Sequence, residues 1–274
     1  MVWKPKSQAI IHTPAEALDE YGNLRIGGGC PSSRRMMMAA EGVVSSYTQQ
    51  FVVFDGTNDY MTRGAGLTGS ADAKKLIVVF TLTFQSGDGT TQYIYESTPG
   101  NFISRDNSGK LRFFFYNSSA ALKLRLDSTT NLVVADGKLN ILMSADVTGA
   151  DTDLTHLWIN DIDVKNDLTL TDDTLDFTNT NHSIGARAAS GTLKLNAHVA
   201  DFYMNFGEYL DFSVESNRRK FFDGDGNAVD LGADGSLPTD SQPIIYFRGP
   251  AASFPTNLGS DGDTWDVTGA LTDA

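Results

Sequence analysis

A chain of 274 residues, 41% of them hydrophobic and 10% aromatic, is long enough to bury a sizeable core without disulfide or metal staples. Its formal charge of -13 excludes a broad nucleic-acid footprint, which needs clustered Lys and Arg. The lone cysteine, Cys30, excludes an intrachain disulfide, and no apolar run reaches membrane-spanning length, so no membrane insertion is expected.

The opening M-V-W-K-P-K-S-Q has no apolar core of a secretory signal. Synthesis and folding in a reducing cytosol are therefore expected, with any extracellular role reached by another route such as cell lysis. Residues 1–50 read as an arm. Lys4, Lys6, Arg25, Arg34 and Arg35 nearly balance Glu16, Asp19, Glu20 and Glu41, so the acidity belongs to the body at 51–274. Thr13 can cap a short helix with Pro14 in its first turn, running to Tyr21. Gly27-Gly28-Gly29-Cys30-Pro31 breaks any regular element, and Ser32 or Ser33 can cap a second helix from Arg34 to Glu41. That helix would hold Met36, Met37 and Met38, which project around most of its circumference and cannot share one small core. Two readings stand: a pliable segment on its own domain, or a segment buried against another subunit. The second makes the arm an attachment and oligomerisation device, with a homo-oligomer such as a trimer as its partner state.

The body opens with F-V-V-F-D-G-T-N-D-Y-M, Phe51 to Met61, which reads strand, tight turn, strand. Lys75 to Phe84 is the strongest strand: its continuous apolar start predicts burial on both faces, and its alternating end predicts one wet face. Further strands are expected over Gln92–Ser97, Asn101–Ser104, Leu111–Tyr116, Leu122–Leu126, Lys138–Asp146 and Leu154–Ile159. Thr169 to Phe177 is polar enough to be an exposed edge or loop whose charges discourage strand addition. Ser183–Ala186 and Lys194–Asn205 complete the strands. Asp211 to Phe222 is predicted helical, with Glu215 in its first turn and Arg218-Arg219-Lys220 in its last.

Several of these segments converge on one family. F-D-G-T-N-D-Y-M resembles the first-strand signature of the laminin-G-like, concanavalin A-like jelly rolls, and H-L-W-I-N-D-I-D-V (His156 to Val164) resembles their strand-turn-strand unit, with Asn160-Asp161 where Asn-Gly is usual. S-I-G-A-R and N-A-H-V-A-D-F-Y-M are similar to the late pair of strands. The run R-R-K-F-F-D-G-D-G-N-A-V-D-L-G-A-D-G-S-L-P-T, followed by P-I-I-Y-F-R-G and N-L-G-S-D-G-D-T-W-D-V-T-G-A-L, resembles a C-terminal pattern of bacteriophage proteins of this superfamily. The resemblance covers residues 51–274. It implies an all-β, two-sheet antiparallel jelly roll in a virion component: tail fibre, spike, adaptor or capsid decoration. It also implies other virion proteins as partners, and host surface polysaccharide if the domain is an adhesin.

Glucanases of this fold class set paired glutamates on one strand face. The six glutamates here, Glu16, Glu20, Glu41, Glu96, Glu208 and Glu215, form no such motif, so a glycan depolymerase is the alternative to a non-enzymatic virion protein. Asp223, Asp225, Asn227 and Asp234 echo a calcium loop, the one cofactor candidate, but Ala228 stands where the sharp turn wants Gly. The competing reading is a turn that ends a helix. Trp158, flanked on its strand face by His156 and Asn160, fits a sugar-stacking platform or a Trp covered by a neighbouring loop or helix.

Overall fold

Period-two alternation builds two sheets that share one interior. The computed structural model describes residues 47–274 apart from Pro99 and Ala189; the expected arm helices and Met36, Met37 and Met38 lie outside the described residues. The first sheet runs β10 (Ile162–Asp163), β9 (Thr155–Ile159), β8 (Leu139–Asp146), β3 (Lys75–Phe84), β13 (Asn196–Phe206), β1 (Val52–Asp55), β16 (Thr272–Asp273), with β14 (Ile245–Phe247) also paired to β13. The second runs β11 (Lys165–Leu170), β7 (Leu122–Asn131), β6 (Lys110–Tyr116), β5 (Phe102–Arg105), β4 (Gln92–Thr98), β12 (Asn181–Ile184), β2 (Tyr60–Arg63), β15 (Asp266–Thr268). Every pairing between these strands is antiparallel. The all-β two-sheet sandwich expected from the sequence is the fold.

The opening turn forms as its residues require. Asp55 Oδ1 accepts the N–H groups of Thr57, Asn58 and Asp59 at 2.7, 3.0 and 3.2 Å. Gly56 takes φ 73°, and a Cβ there would lie 2.7 Å from the Asn196 Cβ, so both conformation and space demand glycine.

Strand β3 divides the first sheet's outer face in two. Its Leu76, Val78, Phe80, Leu82 and Phe84 point into the sandwich core. On the other face, Ile77 and Val79 join Leu142, Tyr203 and Tyr246 of β14 beneath a third layer, residues 207–231, which contributes Phe212, Phe221, Phe222 and Leu231. Beyond Val79 the outward positions turn polar: Thr81 pairs with Asn140 of β8, and Thr83 pairs with His198 of β13. The polar half is closed by polar partners: Thr81 is fully buried and accepts from Gln49, Asn140 donates to the Gly226 carbonyl, and the wet face expected at the alternating end of Lys75–Phe84 is met only at Thr83.

The structure differs from the sequence reading in three places. The expected helix at Asp211–Phe222 shrinks to α1, Glu215–Arg218. Turn hydrogen bonds carry on to Phe222, whose N–H donates to the Arg218 carbonyl at 3.1 Å, and there a bridge to Ala228 draws the chain into extended backbone, so the regular helix is one turn long. A strand not foreseen before Thr169, β11, starts at Lys165 and is held on β7 with a bulge between Asp167 and Thr169, and its last two residues lie at the sheet edge expected there. Finally, Tyr47 and Gln49, read as arm, bond to the sandwich: the Tyr47 hydroxyl donates to Asp201 Oδ1 at 2.5 Å and Gln49 Nε2 to Asp201 Oδ2 at 2.8 Å. The sandwich therefore includes Tyr47 and does not start at Phe51.

Candidate functional site

The β9–β10 hairpin sets one wall of the site. Asn160 and Asp161 take φ of 49° and 64°, the doubly left-handed geometry of a type I′ turn, which Asn and Asp tolerate among non-glycine residues. The Asn160 side chain then clamps the start of β8, accepting from Asn140 N at 2.8 Å and donating to the Lys138 carbonyl at 3.1 Å. Asp161 accepts from Arg218 Nε at 2.5 Å and from Arg219 at 2.7 Å, tying the hairpin to α1. The Arg219 bond, with Arg218 beside it, holds the Asp161 carboxyl below the usual carboxylate range against a smaller effect of burial.

The opposite wall is the turn that follows Phe222. Asp223 Oδ1 accepts the N–H groups of Asp225 and Asn227 at 2.9 and 2.8 Å, and Oδ2 accepts Asn227 Nδ2 at 3.0 Å. Those bonds, led by the Asn227 N–H, lower the Asp223 pKa. The turn is pinned to the sheet through one carbonyl: Gly226 O accepts from both Lys138 Nζ and Asn140 Nδ2 at 2.8 Å. Between the walls lies a pocket of about 300 Å³, lined by Lys138, Asn140, Asn160 and Asp225 over a floor of Leu142 and Phe222. Asp225 is exposed, and among the described residues its carboxylate is engaged by no hydrogen bond or ion pair.

The structure thus joins candidates that lay apart in the sequence. Asn160, Asp223 and Asp225 line one pocket, whereas Asp234 does not line it and caps its own turn by accepting from Ser236 N and Oγ at 3.1 and 2.7 Å. Among the described residues no group of three or more His, Cys, Asp or Glu is placed to hold a metal, and the Asp223 carboxylate is occupied by its own loop. Of the two readings of Asp223–Asp234, this geometry is that of a turn.

Trp158 and His156 sit beneath the third layer. The Arg218 guanidinium lies 3.9 Å from the Trp158 ring centre, so the indole face is taken by a cation rather than left open for a sugar. His156 is buried, with Nε2 2.8 Å from the Tyr209 hydroxyl and 3.3 Å from Asp211, and burial lowers its pKa. Of the predicted glycan trio only Asn160 reaches the pocket. Lys138, Asn140 and Phe222 were missed. Asn140 had a readable signal, because it is the polar residue early in the otherwise apolar run L-N-I-L-M.

The outer face of the second sheet is a different surface. Tyr93, Phe102 and Phe114 form a cross-strand ladder with centres 5.3 and 4.5 Å apart, ending in Arg125 at 4.8 Å from the Phe114 ring. These cross-strand contacts stabilise the sheet. The described glutamates do not converge: Glu96 on β4 pairs with Arg187 at 3.5 Å, Glu215 on α1 with Arg219, and Glu208 follows β13.

These features define a fold, a two-sheet antiparallel jelly roll of the concanavalin A-like kind. No protein family matches the chain by sequence, and no curated protein does. Solved structures share the fold. A candidate carbohydrate binding protein from Bacteroides ovatus aligns with a TM-score of 0.51 at 10% identity, over 83% of this chain and 60% of that one. A heptameric SAP-like pentraxin from Limulus polyphemus gives 0.49 at 10% identity, over 82% and 94% of the two chains. Domains LG4-5 of the mouse laminin alpha1 chain give 0.41 at 15%, over 60% and 44%.

Proposed function

We propose that the protein is a non-enzymatic glycan-binding jelly roll carried on a bacteriophage particle, where its body presents the site to host surface polysaccharide. The observation that carries the binding half is the pocket between the β9–β10 hairpin and the 223–226 turn. It sets an uncommitted carboxylate, an ammonium and amide groups around an apolar floor, which suits a molecule with hydroxyls on its rim and C–H groups on its faces. Its walls are fixed by Asp161 and Asp223 before any ligand arrives, so little ordering opposes binding. The scattered glutamates favour a binder over a depolymerase. The virion setting rests on the C-terminal resemblance from Arg218 onward, and it makes other virion proteins the partners and the particle the location.

A glycan array tests the pocket. The protein should bind a defined set of saccharides, and the double variant Lys138→Ala, Asp225→Ala should lose that binding while melting as the parent does. Binding that survives the double variant, or an array with no binder, refutes the assignment. Antibody labelling of particles tests the setting, with label on tail or capsid expected and its absence from purified virions decisive against it.

A further inference from the structure

The pocket does not end at Lys138. A second depression of about 310 Å³ lies on the other side of that residue, lined by Phe51, Thr83, His198 and Ala274 as well as Lys138 itself. Both depressions open on the outer face of the first sheet, one beside the 223–226 turn and the other at Thr83 and His198. The register brings them together at Lys138: Leu139 pairs with Leu82, which sets Lys138 beside Thr83 on β3, Thr83 pairs with His198 on β13, and His198 pairs with Val53 on β1, two residues from Phe51, while Asn140 and Asn160 lie on the far side of Lys138. Five neighbouring strands are crossed in the order β9, β8, β3, β13, β1. At about 4.8 Å per strand spacing that crossing is about 19 Å long, far more than one sugar ring needs.

The side chains along it repeat one chemistry. Each compartment offers an aromatic surface, Phe222 in the first and Phe51 in the second, with polar groups beside it. Lys138 stands between them with its Nζ anchored on Gly226 O at 2.8 Å, which fixes one donor and leaves its others to the groove. The carboxylates Asp161, Asp223 and Asp225 outnumber the cations Lys138 and Arg219 around the first compartment, which disfavours an acidic sugar.

We infer that the two depressions form one groove for an extended, uncharged oligosaccharide, with Lys138 at the junction and Phe51 and His198 as the second compartment. This rests on the glycan reading of the first pocket and specifies chain length, which that reading leaves open.

A polysaccharide that scores on the array is cut into mono- to pentasaccharides, and each is titrated by calorimetry against the full chain and against Phe51→Ala and His198→Ala. Affinity should climb with length until the groove is filled. Each variant should lose about tenfold for the tetrasaccharide while binding the disaccharide as the parent does. His198→Ala guards against a folding defect in the Phe51 variant, and melting curves check both. A monosaccharide that binds as tightly as the pentasaccharide overturns the groove and leaves the first pocket standing. So does an equal loss for short and long saccharides in both variants. Failure of every glycan on the array overturns both.

Discussion

Removing the two donors to Asp201 should destabilise the sandwich, and the structure sets the scale. Asp201 is 5% exposed and sits in a left-handed bulge of β13 with φ 49°. Burial pushes its carboxyl pKa up, against the opposing bonds from Tyr47 and Gln49. Gln49 also donates to Thr81 at 2.8 Å, so it bridges the buried acid and the polar half of β3. A hydrogen bond to a charged group contributes about 1.5–3 kcal/mol. The double variant Tyr47→Phe, Gln49→Leu should therefore cost about 3 kcal/mol, toward the low end of the sum because both bonds serve one carboxylate. For a domain of this size that lowers Tm by about 6–12 °C. The sign of the pH dependence follows from the raised pKa. A carboxyl whose folded pKa lies above its unfolded value favours the folded state at low pH, and that advantage is lost as pH rises through the folded pKa. The penalty should shrink in acid, where a protonated Asp201 no longer needs both donors. Asp201→Asn should rescue the double variant, since Asn tolerates the left-handed backbone and carries no charge. Calorimetric melts of the four proteins at neutral and acid pH check this. A double variant that melts within a degree of the parent, or no rescue by Asp201→Asn, would refute it.

Two further outcomes follow from the core. Phe80→Ala removes a fully buried ring on the central strand β3, stacked 5.5 Å from Phe202, and should cost about 3–5 kcal/mol in chemical denaturation; a loss below about 1 kcal/mol would mean that the site collapses around the deletion. Burial lowers the His182 pKa from 6.5 to about 4, with Nε2 donating to the Asn179 carbonyl at 2.8 Å and Nδ1 accepting from the Tyr95 hydroxyl at 3.0 Å. The unfolded chain takes up that proton first as pH falls, so about 3 kcal/mol of stability should drain away between pH 6.5 and pH 4, and His182→Gln should flatten that limb.

Much of the fold was legible because the strands carry their own punctuation. Lys75–Phe84 announced its two-sided burial, which runs on through Thr81 and ends at Thr83, and Asp55-Gly56 announced its turn. Asp211–Phe222 misled because helical spacing and favourable end charges are local signals, while the bridge from Phe222 to Ala228 is set by residues beyond the segment. The site was legible only in fragments. Asn160 and Asp223 each stood out as turn residues, but nothing in the sequence says that Gly226 O will be fastened to Lys138 and Asn140, and that fastening creates the pocket. For Trp158 the alternation pattern favours a covered ring over a sugar platform, and the residue that covers it, Arg218, lies sixty positions on.

The pairing of β1 has a consequence for how the protein is made. Val52 lies opposite Val199 on one side and Asp273 on the other, while the neighbouring β2 takes β15 as its outer partner. Made before every other strand described, β1 has no hydrogen-bonding neighbour until β13, Asn196–Phe206, has been synthesised. A nascent chain stalled before β13 would hold an unpaired apolar strand open to any passing sheet edge. The cell should therefore meet this protein as a client for chaperones during translation, and yield should depend more on the speed of elongation than on the stability of the finished sandwich.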